Sequence, residues 1–306
     1  MLTMNETSQE TIMNFTVIDV ESIYRRLLST PDAETRAGIF QEQLIQPFEG
    51  LVRIFGGGDG LKAFRQLGMM PEQFGGASAA TMQETVDLLA ANQAWERAAQ
   101  SLYKGREAFA DHLDHIPTQH VTFGLLVADM SQMPISYGYS GFGAIPGWIM
   151  TIYDKPNAYN LERVEAATVH ELHHNILAAV LGGRGLIANL GTYMISEGLA
   201  ESFAAELYGA DKVGPWVSTL TQTEVETVKR LLSTALHETD FTVMRQYIFG
   251  DKMSGQTRGV PDFAGYALGY RVVQTYLKRT GNSVVQATFI PPEEIIAESG
   301  FFKELS

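Results

Sequence analysis

The chain has 306 residues and 45% of them are hydrophobic, which suffices for a sizeable core in one large domain or in two closely packed ones. Its net charge of -13 argues against a nucleic-acid partner, because binding a phosphate backbone needs clustered cations. Cysteine is absent, which excludes disulfides, thiolate nucleophiles and cysteine metal sites, so any bound metal must be held by His, Asp or Glu.

The beginning of the chain has neither the basic nor the apolar segment of a secretion signal. No window of the sequence is long and apolar enough to span a membrane. We therefore expect a cytoplasmic protein without a membrane partner. Residues 1–20 are expected to be weakly ordered, apart from the apolar run at 15–18.

The first part of the chain, residues 1–118, is predicted to be an all-helical region. Thr30–Asp32 combine an N-cap residue, a proline and an acid in the order typical of a helix start. The capping box Thr81–Glu84 opens an alanine-rich helix that should run to about Lys104. We expect Gly105 to break this helix.

Two clusters in this region could be mistaken for ligand sites. The glycines of 56–60 lack the trailing G-K-[ST] of a phosphate-binding loop, so a flexible turn is predicted. His112, His115 and His120 lie close together among acids, and we favour a solvated helix end over a metal site there.

Strands are predicted next. Val121–Val127 and Trp148–Tyr153 are rich in β-branched and aromatic residues, and the stretch between them is too rich in glycine for a helix. An exposed strand edge can pair with an extended peptide through main-chain hydrogen bonds. We expect a substrate to lie along the edge 143–151, where Gly143 and Ala144 would contact it.

The central motif is H-E-x-x-H, formed by His170, Glu171 and His174 on a helix predicted from Asn160 to about Leu181. On a helix the two histidines lie one turn apart on the same face and can bind one zinc ion. Glu171 beside them could accept a proton from zinc-bound water. His173 is an alternative ligand, but the motif register favours His174 because it keeps Glu171 at the open side of the metal.

A catalytic zinc ion needs a third protein ligand. Glu197 and Glu201 lie four positions apart, on one face of a helix predicted from near Ser196 to Gly209. Either carboxylate could bind the metal while the other accepts a hydrogen bond from a ligand histidine.

Three more helices are predicted in the last part of the chain, and they begin near Thr223, near Asp262 and near Pro291. The middle one carries Tyr266 and Tyr270, one turn apart. Peptide hydrolysis needs a donor for the developing oxyanion, and either tyrosine could supply it. Their spacing is equally typical of the buried apolar face of a helix, in which case neither tyrosine would be catalytic.

The segments 170–174 and 197–201 together resemble the gluzincin zinc peptidases and, more narrowly, the YjaZ-like family of predicted zinc-dependent proteases. The wider resemblance covers about residues 120–300. It implies His170, His174 and Glu197 as ligands of one zinc ion per chain. It further implies Glu171 as the general base and Glu201 as the supporting carboxylate.

The predicted fold class is α+β and predominantly helical. A zincin-like catalytic domain at 119–306, with a small sheet, an active-site helix and a following helical part, would come after the helical region at 1–118. The predicted function is hydrolysis of peptide bonds in a peptide or protein, with an endopeptidase as the preferred form. The G-x-M-E-N run of the aminopeptidases is missing, which argues against aminopeptidase activity and leaves endopeptidase or dipeptidase activity open.

Two alternatives come from other functional classes. The first is a zinc-stabilised binding or regulatory module without turnover. Glu171 argues against it, because a purely structural site has no use for that base and closes its fourth coordination position. The second is an all-helical partner-binding protein in which the metal motif arose by coincidence.

Overall fold

The computed structural model describes residues 13–55, 57–182 and 185–303, which form an α+β fold. The strands in this part of the chain are β1 (Asn14–Val17), β2 (His120–Val127), β3 (Tyr139–Ile145) and β4 (Trp148–Tyr153). The α-helices before β2 are α1 (Val20–Ser29), α2 (Ala33–Phe40), α3 (Glu49–Phe55), α4 (Gly60–Gln66), α5 (Ala79–Ala91) and α6 (Ala94–Ala108). Those after β4 are α7 (Ala158–Leu161), α8 (Val164–Leu181), α9 (Leu190–Tyr208), α10 (Gln222–Ser233), α11 (Phe241–Ser254), α12 (Ala264–Thr280), α13 (Val284–Ala287) and α14 (Pro292–Ser299).

The sheet has the strand order β1-β2-β4-β3. Strands β1, β2 and β4 run parallel, and β3 is antiparallel to β4 at the edge. Two predictions need correction. The region before residue 118 is not all-helical, because β1 pairs with the first half of β2. The predicted edge 143–151 is not one edge, because its second half belongs to β4, which has a partner on each side.

Helix α8, which carries the H-E-x-x-H motif, lies against β3 and β4 and is flanked by α6 and α9. Gly105 lies inside α6 rather than at its end, and a Cβ there would be 2.6 Å from Leu172 Cδ2 of α8. The predicted break at Gly105 is therefore wrong, because this glycine permits close approach of two helices. The break between α5 and α6 falls at Asn92 and Gln93, where Gln93 adopts φ 53.

Helices α9 and α12 also pack closely, through glycines. A Cβ on Gly198 of α9 would overlap the carbonyl of Gly269 on α12, and one on Gly269 would overlap the carbonyl of Met194. Only backbones without side chains at these points can come this close. The packing fixes the position of α12 relative to the helix that carries Glu197 and Glu201.

Several element starts differ from the predictions. Asp32 rather than Thr30 caps α2, and Asn157 rather than Asn160 caps the short helix ahead of α8. Helix α9 begins two turns earlier than predicted, behind its cap Asn189. Helix α11 was not predicted, and it is interrupted at Gly250 by a φ of 83. The predictions of β2, β4 and the long helix of the motif are confirmed.

The two clusters that were not predicted to bind ligands have ordinary structural roles. Gly57 and Gly58 have positive φ in the turn before α4, and Gly56 lies outside the described residues. His112 and His115 lie at the end of a 3-10 turn, and His112 packs against Phe289. None of the described helices is both long and apolar enough to cross a membrane.

Candidate metal centre

Helix α8 brings His170, Glu171 and His174 together within the interior. The helix begins after a short capped turn and ends at Gly182, whose φ of 73 suits glycine. Between these ends the motif occupies two buried turns. The exposed fractions of His170, Glu171 and His174 are only 7%, 8% and 6%. Three polar side chains at this depth need partners.

Helix α9 provides the partner. Oε2 of Glu197 lies 3.2 Å from Nε2 of His174 and 3.5 Å from Nε2 of His170. In tetrahedral coordination with bond lengths of about 2.0–2.1 Å, two zinc ligands lie about 3.3 Å apart. Both distances to Glu197 are close to this value, and the ligand atoms of all three side chains lie within 4.8 Å of one another, so the group could hold a metal ion. Within the described part of the chain, this trio is the group whose ligand atoms converge in this way.

Glu201 lies one turn further along α9, on the opposite side of His170. Its Oε1 is 3.3 Å from Nδ1 of His170, an ion-pair distance without the alignment of a hydrogen bond. The same carboxylate accepts hydrogen bonds from the backbone N–H of Gly214, at 2.9 Å, and from the indole N–H of Trp216. Glu197 thus contacts the Nε2 atoms of both histidines, whereas Glu201 faces Nδ1 of His170.

The charges of the cluster are strongly coupled. Burial alone would raise the pKa of Glu197, but the imidazoles of His174 and His170 outweigh burial and lower it to about 2. Burial opposes protonation of His170, yet the carboxylates of Glu201 and Glu197 outweigh it and raise the pKa of His170 well above its usual range. The cluster therefore combines a carboxylate that stays ionised with an imidazole that retains a proton at neutral pH.

Glu171 faces the edge strand β3. A Cβ on Gly141 would overlap the Glu171 carboxylate, and a Cβ on Gly143 would overlap the Glu171 backbone carbonyl. The two glycines thus allow the strand to lie directly on this residue. Burial raises the pKa of Glu171, against the opposing effect of His170 and His174. A carboxylate with a raised pKa is a better proton acceptor near neutral pH than an ordinary glutamate.

Asn175 fixes α8 to the β3–β4 hairpin. Its Nδ2 donates to the carbonyl oxygens of Gly143, Ile145 and Trp148, at 3.0, 2.7 and 3.0 Å. Its Oδ1 accepts from the N–H of Gly147 at 3.0 Å. Gly143 was predicted to bind substrate, but its carbonyl already accepts the hydrogen bond from Asn175 within the protein. Gly143 is buried, whereas the neighbouring Ala144, also predicted to bind substrate, is partly exposed.

The two predicted tyrosine donors occupy different surroundings. Tyr266 lines a cavity together with Glu171, and burial followed by the charge of Glu197 raises its pKa well above the ordinary value. Tyr270 is one turn further along α12, and none of the described cavities that Glu171 lines includes it. Tyr193, one turn before Glu197 on α9, has its pKa raised by burial and by Glu197. Tyr266 is the better placed of the two predicted donors, because it shares a cavity with Glu171, and Tyr193 is a further candidate because of its interaction with the charge of Glu197.

His173 is directed away from the cluster. Its Nε2 lies 3.0 Å from the hydroxyl of Thr288, and its ring packs against Phe109 and Phe203. Burial lowers its pKa well below the ordinary value, so it is neutral. His174, and not His173, is therefore the histidine that lies beside His170 and Glu197.

Sequence reasoning did not identify three residues of this site: Tyr193, Asn175 and Trp216. Tyr193 could have been found, because it precedes Glu197 by four positions on the same helix. Asn175 adjoins the motif but on another face of α8, and Trp216 lies in the loop after α9. The contacts of these two residues depend on tertiary packing that no local pattern encodes.

Comparisons with known proteins agree with this chemistry. Residues 80–297 match the family described as "Predicted Zn-dependent protease (DUF2268)". The chain is similar to Uncharacterized protein YjfC of Bacillus subtilis (strain 168), with 29% identity over 304 residues that cover 95% of this chain and 99% of that protein. It is also similar to Uncharacterized protein YjaZ of the same organism, with 26% identity over 135 residues that cover 44% of this chain and 49% of that protein. No solved structure gives a significant match.

Proposed function

This chain belongs to the family of predicted Zn-dependent proteases, as its YjaZ-like motifs indicated, and from this premise we propose that it is a zinc peptidase that cleaves internal peptide bonds. The observation that carries the proposal is the convergence of two imidazoles and Glu197, with Glu171 next to them. The proposal includes one zinc ion per chain, a peptide or protein substrate and a zincin-like catalytic part. The cytoplasmic location stays a prediction.

His170, His174 and Glu197 would hold the metal through Nε2, Nε2 and Oε2. The spacing of these atoms supports the assignment. A zinc ion there supplies a Lewis acid that activates water and polarises the substrate carbonyl. Glu201 keeps the ring of His170 in place, because its carboxylate faces Nδ1 and is itself held by Gly214 and Trp216.

Glu171 acts as the general base. It accepts the proton of the attacking water and then delivers that proton to the departing amine, so that it returns to its initial state. Its raised pKa suits both halves of this cycle, since the group must accept and release a proton near neutral pH. The close approach of Gly141 limits the positions open to the carboxylate.

Tyr266 donates a hydrogen bond to the oxygen on which negative charge develops. Its presence in the same cavity as Glu171 supports this role. Tyr270, which lies outside that cavity, is the weaker candidate, and Tyr193 is a further one.

The edge strand offers the substrate a main-chain partner. The N–H of Asp154 donates to the carbonyl of Gly138, at 3.0 Å. With the register Tyr139↔Tyr153, the backbone groups of Tyr139 and Gly141 therefore point away from β4. An extended peptide paired there would pass directly over Glu171. This segment extends the predicted contacts of Gly143 and Ala144 toward the start of β3.

The test is substitution of the base. Glu171→Gln should reduce zinc-dependent peptide hydrolysis by at least about 100-fold while the protein keeps one equivalent of zinc. Glu84→Gln, at an exposed position of α5, is the matched control and should leave both properties unchanged. Full hydrolysis by Glu171→Gln would contradict the proposal, as would wild-type protein that binds far less than one zinc per chain.

One observation favours a second candidate, a zinc-stabilised binding or regulatory module. Glu197 is only 5% exposed, and the other three residues of the centre are similarly covered, as structural zinc sites are. Under this alternative, zinc removal would lower the melting temperature, and Glu171→Gln would change nothing, because the wild type would hydrolyse no peptide.

A further inference from the structure

An apolar cavity of about 110 Å³ opens beside Glu171. It lies between the start of β3, the loop before that strand, the loop after α9, and helices α11 and α12. Gly141 and Ser140 of the edge strand form one wall, so the cavity adjoins the backbone on which we expect the substrate to lie. Its remaining wall is mainly aromatic or thioether in character: Tyr137, Trp216, Phe249, Met253, Phe263 and Tyr266.

The residues that line this cavity make it unfavourable for charged ligand groups. Glu171 is the one charged side chain among the described residues that line the cavity. The aromatic rings contact one another: the centroids of Trp216 and Tyr266 are 5.8 Å apart, and those of Phe249 and Tyr266 are 5.7 Å apart. An acidic group placed there would lose its hydration and be repelled by Glu171, and a basic one would pair with Glu171 and so neutralise the carboxylate that the proposed reaction needs as its base.

The size of the cavity limits the ligand further. An apolar cavity of about 150 Å³ in another protein holds one benzene molecule. At about 110 Å³, this cavity is smaller and fits a branched aliphatic or thioether side chain. An indole would require movement of the surrounding rings.

We propose that this cavity binds the side chain of the substrate residue next to the scissile bond, and that the preferred residue is leucine, isoleucine or methionine. The inference rests on the proposed peptidase function and extends it to a substrate class. A peptide paired with Gly141 would place one side chain over Glu171 and into the cavity. The cavity thereby fixes the position of the scissile carbonyl relative to the base.

Met253 is the residue to vary, because it lines the cavity from α11, away from the metal ligands and the edge strand. The experiment uses the full chain with zinc and a set of internally quenched peptides that differ at one position, occupied by Gly, Leu, Met, Trp, Glu or Lys. Sequencing of the products locates the cut. We expect kcat/KM for the Leu and Met peptides to exceed that for the Glu and Lys peptides by at least about tenfold.

Two variants should shift this preference in opposite directions. Met253→Ala enlarges the cavity, so the ratio of kcat/KM for the Trp peptide to kcat/KM for the Leu peptide should rise by about tenfold. Met253→Trp fills the cavity and should favour the Gly peptide over the Leu peptide. Lys252→Ala, at the exposed neighbouring position, is the control and should leave the order of the peptides unchanged.

The outcomes separate this inference from the function on which it rests. Zinc-dependent cleavage at similar rates for all six peptides would overturn the inference and leave the peptidase intact. Unchanged relative rates in both Met253 variants would do the same. If no peptide is cleaved with zinc present, the proposed function fails, and the cavity preference fails with it.

Discussion

At the scale of single residues, the candidate site depends on how closely β3 approaches Glu171. The two glycines that permit this approach meet different parts of the glutamate. Gly141 faces its carboxylate, which is the end of a flexible side chain, whereas Gly143 faces its backbone. The same substitution at the two positions should therefore separate catalysis from stability.

Gly141→Ala should reduce kcat/KM by at least about 100-fold with little change in melting temperature, because the displaced carboxylate no longer reaches the water. Gly143→Ala should lower the free energy of unfolding by about 3 kcal/mol, because α8 and β3 must separate. Peptide hydrolysis and urea unfolding measure the two effects. Gly38→Ala, where no atom lies within 4 Å of the added Cβ, serves as control. Equal losses of stability in the two β3 variants would contradict this assignment.

Zinc binding should release a proton, because His170 holds one at neutral pH. The pKa of His170 lies above 6.5, so the release should be largest below that raised pKa and should vanish as the pH rises through it. Glu197, with a pKa of about 2, is already ionised and contributes no proton.

Calorimetry of zinc binding at pH 7, in buffers with different ionisation enthalpies, counts the protons. We expect about one per ion in the wild type. Fewer protons per ion are expected in Glu201→Gln, because this variant lacks the carboxylate charge that contributes most to raising the pKa of His170. A binding enthalpy that is independent of the buffer would show that His170 is neutral before zinc binds.

At the scale of elements, the side-chain amide of Asn175 connects the motif helix to the β3–β4 hairpin, where it contacts three carbonyls and one N–H. Asn175→Leu keeps most of the volume but leaves three carbonyls and one N–H without this partner. The amide group shares its two hydrogens among the three carbonyls, and its oxygen accepts a third hydrogen from Gly147. At about 1 kcal/mol for each of these hydrogens, the free energy of unfolding should fall by about 3 kcal/mol, as measured by urea unfolding. Asn92→Ala, which removes one exposed hydrogen bond to Leu88, should cost less than about 1 kcal/mol. Similar costs for the two variants would mean that Asn175 does not hold the hairpin.

At the scale of the whole molecule, β1 joins the beginning of the chain to the sheet of the candidate catalytic part. The predicted boundary near residue 118 separates β1 from β2, its neighbour in the sheet. The same boundary separates Tyr24 from Val127, although the Tyr24 hydroxyl accepts a hydrogen bond from the N–H of Val127 at 2.8 Å. It also separates α6, which contains Gly105, from its neighbour α8. The two predicted regions thus share one core.

A fragment of residues 119–306 should therefore not fold by itself. We expect it to lack the near-ultraviolet circular dichroism and the cooperative thermal transition of the full chain, because one edge of β2 and one side of α8 would be exposed. The full-length protein under the same conditions is the control. A fragment with a sharp transition and one equivalent of bound zinc would instead support two independent domains.

Much of this molecule follows from local patterns in the sequence. The helical period places His170 and His174 on one face, and the β-branched runs at 121–127 and 148–153 form strands wherever they are buried. The helix of the motif and its glycine end are likewise local properties. The family could be inferred for the same reason, since its motifs are short and contiguous.

Other features were decided by tertiary structure alone. Glu197 and Glu201 share a helix face, and only the packing of α9 on α8 determines which carboxylate meets both imidazoles. Gly105 looks like a helix breaker in the sequence, but a neighbouring helix occupies the space where its side chain would be. The edge position of β3 and the separation of Tyr266 from Tyr270 have the same origin. In each case the deciding contact joins residues far apart in the chain, and a periodic pattern specifies a face but not the partner that covers it.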